Sequence, residues 1–109
     1  MQYKIKGSNL IIEVGSDLDH HYADCLYKNI LNIEKNKSFK NLIFDFSNTT
    51  FMDSSGVGLI ISQYKYFSMS GGNVIVVGLS DNLEKLFYVS GLHKIIRTYS
   101  KLEDIFNEK

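Results

Sequence analysis

Two short, almost wholly apolar runs limit what this chain can fold into: Leu42-Ile43-Phe44-Asp45-Phe46 and Val74-Ile75-Val76-Val77. Each is shorter than a typical helix. Each is also apolar at consecutive positions, as expected of a strand covered on both faces in a parallel sheet. Between them Val57, Ile60, Ile61, Tyr64 and Phe67 recur at three- and four-residue spacing, the period of a helix with one buried side. Strand, helix and strand in that order form a βαβ unit, whose two strands need a long crossover between them and run parallel.

The flanking segments extend this pattern. Apolar runs at Tyr3-Ile5 and Leu10-Val14, separated by Gly7-Ser8-Asn9, predict two antiparallel strands joined by a turn. Asp19 is placed to cap a helix whose buried stripe is Tyr22, Leu26, Ile30 and Ile33. Ser80 or Asp81, with Glu84, opens a third helix carrying Leu83, Leu86 and Phe87, and Gly91 stops it. Ile95-Ile96 is expected as a last strand. Ser100 with Glu103 is expected to start a terminal helix that buries Leu102, Ile105 and Phe106. The order β-β-α-β-α-β-α-β-α implies an α/β fold with a four- to five-stranded mixed sheet and helices packed mainly against one face. A doubly wound sheet is the alternative. No Pro/Gly/Ser-rich tract divides the chain, so residues 1–109 are expected to form a single domain.

Charge excludes a global attraction to phosphate backbones, because 12 Lys and Arg balance 12 Asp and Glu. The densest basic stretch, Lys35 to Lys40, reads as a solvated helix end, and nucleic acid is not an expected partner. No run reaches the about 18 apolar residues of a membrane span, and Met1-Gln2-Tyr3-Lys4 does not open a signal peptide, so no membrane partner is expected. The single Cys25 allows no internal disulfide and falls inside a helical pattern, where it reads as an inert side chain. A cytoplasmic protein, monomeric when free, is the expectation.

The segment richest in local chemistry is Phe51-Met52-Asp53-Ser54-Ser55-Gly56-Val57-Gly58. Phe51 and Met52 are suited to anchor the preceding loop in the core. Ser54 or Ser55 is placed to cap the central helix, and Gly56 and Gly58 to allow close backbone approach. A phosphate on Ser54 would add about −1.5 to −2 charge at the positive end of that helix, where unpaired amides favour an anion. The same charge would disturb a partner docked there, with Asp19 and Asp53 as the acidic surroundings.

Asp45-Phe46-Ser47 through Gly58, together with Leu18-Asp19-His20-His21 and Ser90-Gly91-Leu92, resembles the STAS family of anti-sigma factor antagonists, and the resemblance spans nearly the whole chain. It implies that Ser54 is phosphorylated by an anti-sigma factor that is also a serine protein kinase, with Ser55 the adjacent alternative. It further implies that the unmodified protein binds that kinase and frees a sporulation sigma factor, and that a serine phosphatase restores the active form. Asp19, Asp53, Ser54, Ser55 and Gly56 would form the partner-binding surface. Val57 departs from the leucine common at that position, a small apolar exchange. A module serving a general stress or signalling circuit is the alternative.

Enzymatic readings are poorly supported by the residues. Ser54 with His20, His21 or His93 lacks a G-x-S-x-G elbow, since Met52 stands two residues before it. Adjacent His20 and His21 with Asp24 lack metal-ligand spacing, and Gly71-Gly72 and Gly56-x-Gly58 complete no nucleotide fingerprint. No cofactor, metal or catalytic residue is expected.

Overall fold

The architecture is that of a computed structural model, which describes residues 2–107. In chain order its elements are β1 (Gln2–Lys6), β2 (Asn9–Glu13), β3 (Asp17–Leu18), α1 (His20–Asn36), β4 (Asn41–Asp45), β5 (Phe51–Met52), α2 (Ser54–Ser68), β6 (Asn73–Val77), α3 (Asp81–Ser90), β7 (Arg97–Tyr99) and α4 (Leu102–Asn107). Five strands form a mixed sheet in the order β1-β2-β4-β6-β7, with β1 antiparallel to β2 and the remaining pairs parallel. From β2 onwards the strands advance in one direction across the sheet. Crossovers of one hand then bring α1, α2 and α3 to the same face.

Strand periodicity divides the apolar residues between the two faces. Leu10, Ile12, Leu42, Phe44, Val74 and Val76 join Leu26, Ile30, Ile60, Phe67, Leu83 and Phe87 in the main core. Ile11, Ile43, Ile75 and Val77 point the other way and are covered by Leu102, Ile105 and Phe106 of α4 together with Tyr99. The consecutive apolar residues in the sequence are therefore needed because both faces are covered. A row of asparagines marks the strand starts: Asn41 Nδ2 donates to Asn9 Oδ1 at 2.9 Å, and Asn73 Nδ2 donates to Asn41 Oδ1 at 3.4 Å. These are the residues in lateral register at the first position of β2, β4 and β6.

Three expectations are corrected. The last strand is Arg97–Tyr99, not Ile95-Ile96. After Gly91 takes a left-handed conformation (φ 81°), Leu92–Lys94 forms a 3-10 turn whose Leu92 carbonyl accepts from the amides of Ile95 and Ile96. Those amides are then unavailable to a strand ladder, and Ile96 enters the core as part of a turn. Phe51 is 49% exposed, so of the two expected anchors only Met52 is buried. Gly58 faces open space, so the close approach expected of it does not occur.

Candidate functional site

Two strands too short to be recognised by pattern organise the site. β3 and β5 pair in parallel, with Asp17 opposite Phe51 and Leu18 opposite Met52. The residue following each strand is an aspartate, and each aspartate caps the helix that begins next. Asp19 Oδ1 accepts from the Tyr22 amide at 3.0 Å. Asp53 Oδ1 accepts from the amides of Ser55 at 2.9 Å and Gly56 at 3.3 Å. α1 and α2 therefore start side by side, each with a carboxylate on its positive end. The sequence alone did not bring Asp19 near Ser54. The paired strands place Asp19 next to Asp53, the residue before Ser54.

Asp53, rather than Ser54 or Ser55, is the cap of α2. An ionised carboxylate makes a stronger bond to amides than a hydroxyl, and Asp53 stands one residue earlier, in extended conformation, where a cap belongs. Two of the amides expected to welcome a phosphate, those of Ser55 and Gly56, are thus already engaged. Ser54 becomes the first residue of the helix, its side chain exposed. Ser55 is half-buried, and its Oγ lies 3.1 Å from His20 Nδ1 at the start of α1. Gly56 is buried: a Cβ there would lie 2.5 Å from Met52 Cγ and 3.0 Å from the Leu18 carbonyl oxygen. Its lack of a side chain lets α2 sit against the β3–β5 pair.

Below these helix starts, α1 and α2 diverge around an open groove of about 300 Å³ lined by His20, Tyr27, Ser55, Gly58, Leu59 and Ser62, among others. Asp24 on its rim is ion-paired to Lys28 at 3.0 Å, and that hydrogen bond, followed by the carboxylate charge, raises the Lys28 pKa. The five residues singled out in the sequence, Asp19, Asp53, Ser54, Ser55 and Gly56, meet at one end of the molecule. Sequence reasoning missed the groove and the contact of His20 with Ser55, because both depend on the packing of α1 against α2. A histidine-serine pair does occur, but it involves Ser55 and His20, and the nearby amides are occupied by Asp53. Among the described residues no group of three or more His, Cys, Asp or Glu could hold a metal ion, and no helix is long and apolar enough to cross a membrane.

The STAS domain family matches residues 1–105. An anti-sigma F factor antagonist of Paenibacillus polymyxa is 31% identical over 90 residues, covering 83% of this chain and 77% of its own length. An anti-sigma-B factor antagonist of Staphylococcus aureus is 25% identical over 85 residues, covering 78% of each chain. Among solved structures, the phosphorylated form of SpoIIAA, a Bacillus cell fate determinant, superposes with a TM-score of 0.75 at 27% identity and covers 95% of both chains.

Proposed function

We propose that this chain, which belongs to the STAS domain family, is an anti-sigma factor antagonist that works by switching partners, and that the switch is phosphorylation of Ser54. The observation that carries this reading is the placement of Ser54: exposed at the first position of α2, adjoining the Asp53 cap, with Asp19 capping the neighbouring helix. The unmodified surface around Asp19, Asp53, Ser54, Ser55 and Gly56 binds an anti-sigma factor with serine kinase activity, and binding releases a sporulation sigma factor. Phosphorylation adds about −1.5 to −2 charge beside Asp53. With the Ser55 and Gly56 amides already bonded to Asp53, the added charge gains little from the helix end, and like-charge repulsion and desolvation oppose docking. A serine phosphatase reverses the change. The chain itself supplies no catalysis. This sporulation reading, of the SpoIIAA type, is supported by the Paenibacillus and Bacillus similarities.

The Staphylococcus similarity favours a second setting, a general stress circuit served by the same surface. One experiment addresses both. The chain is mixed with ATP and either the anti-sigma F factor of Paenibacillus polymyxa or the anti-sigma-B factor of Staphylococcus aureus. Modified residues are mapped by mass spectrometry, and binding is measured by calorimetry before and after modification. We expect label on Ser54 and a loss of affinity of about 30-fold or more, roughly 2 kcal/mol, with Ser54→Ala binding persistently. Undiminished binding after complete phosphorylation of Ser54 would refute the switch, and preference for the sigma-B partner would favour the stress circuit.

A further inference from the structure

Adjacent serines at a helix start raise the question of what distinguishes them, and here their surroundings differ. Ser54 is exposed, and its hydroxyl has no hydrogen-bond partner among the described residues. Ser55 is half-buried, lines the groove between α1 and α2, and has its Oγ 3.1 Å from His20 Nδ1. We propose that His20 is the positioning residue that confines modification to Ser54, by holding the Ser55 hydroxyl inside the groove. This rests on the reading of Ser54 as a phosphoacceptor and adds to it the residue that sets the choice between the two serines.

The physical reason is geometric. Phosphoryl transfer from ATP forms an Oγ–P bond while the bond from the γ-phosphorus to ADP breaks, and the hydroxyl proton passes to a base of the kinase. The reacting Oγ must stand nearly in line with the leaving ADP oxygen. Ser54 Oγ, directed to solvent from the first residue of α2, reaches such a position without breaking any contact. Ser55 Oγ must first leave the imidazole and rotate out of the groove. Whether Nδ1 donates or accepts, the bond holds the Ser55 hydroxyl toward the start of α1. His20 is exposed at the first position of α1 and belongs to the other helix, so the restraint exists only while the two helix starts are held side by side by the β3–β5 pair.

The test uses residues 1–109 with ATP and the anti-sigma F factor of Paenibacillus polymyxa, comparing wild type, Ser54→Ala, Ser54→Ala/His20→Ala and Ser54→Ala/His20→Phe. The phenylalanine keeps the bulk of the groove wall without its nitrogen. We expect wild type to be labelled at Ser54 and Ser54→Ala to be nearly unlabelled. Both double variants should gain label at Ser55, by roughly threefold to tenfold over Ser54→Ala, the factor expected for one modest hydrogen bond. Label on Ser54 in wild type with no gain in either double variant overturns the role of His20 and leaves the switch standing. Label on Ser55 of Ser54→Ala at the wild-type rate overturns it as well. Absence of label from Ser54 in wild type defeats the switch itself, and the selector role falls with it. The contact is also read without a kinase: ¹⁵N NMR of the imidazole should show the His20 Nδ1 resonance moving in Ser55→Ala and staying in place in Ser54→Ala. Equal responses in the two variants would overturn the proposal.

Discussion

At the scale of single residues, two glycines two positions apart make opposite demands. A methyl group on Gly56 would enter space held by Met52 and the Leu18 backbone, whereas one on Gly58 would meet nothing within 4 Å. Gly56→Ala is therefore expected to lower stability by about 1–3 kcal/mol through overpacking. Gly58→Ala should raise it by about 0.8–1 kcal/mol, because alanine favours the helix. Thermal melts of the two variants check both signs, and a stabilised Gly58→Ala would assign the small residue there to the open groove it lines rather than to folding. Gln63 is a different case. It lies in the buried stripe of α2, only 3% exposed, and its Oε1 finds no hydrogen-bond partner among the described residues. A buried acceptor left unsatisfied costs stability, so Gln63→Met should stabilise the fold by about 1 kcal/mol, read as a higher denaturant midpoint at unchanged slope.

Among the elements, α2 depends at its start on a single carboxylate. Asp53 Oδ1 bonds two amides, and Ser54 bonds none of them. Asp53→Ala is expected to cost about 1 kcal/mol or more of stability, and Ser54→Ala less than about 0.5 kcal/mol, as measured by chemical denaturation. This contrast matters for the switch, since loss of binding in an Asp53 variant must be judged against its loss of cap, while a Ser54 variant reports the surface itself. The asparagine row along β2, β4 and β6 supports register where hydrophobic alternation gives little guidance, because strands covered on both faces carry apolar side chains in either register. α4 covers the outer face of the sheet with partly buried Leu102, Ile105 and Phe106. Ile105→Ser/Phe106→Ser should release it: amide hydrogen exchange is expected to rise over residues 102–107 ahead of the main core, and uniform exchange throughout would contradict this hierarchy.

For the whole molecule, the sheet acts as a platform that presents two helix starts at one end. The α/β class, the antiparallel opening pair, the central βαβ unit and the placement of helices mainly on one face were legible in the sequence. They follow from short-range periodicity: continuous apolar runs for strands covered twice, and three- and four-residue spacing for helices. The final strand was misplaced because Ile95-Ile96 has the composition of a strand, while the 3-10 turn that captures its amides is set by the left-handed Gly91 just before it. The site was legible as a list of residues but not as an arrangement. Asp19, Asp53, Ser54, Ser55 and Gly56 stand out locally, yet which of them caps the helix and which hydroxyl remains free depend on backbone conformation and neighbours. Two paired strands of two residues each carry too few side chains to leave a periodic signal, and the contact of His20 with Ser55 spans 35 positions. Local preferences are written into consecutive side chains, so the chain alone determined its elements and its candidate residues. The juxtaposition of the two aspartate-capped helices, the groove between them and the unequal surroundings of the two serines were decided by long-range packing, which comes into being only when the sheet and its helices assemble.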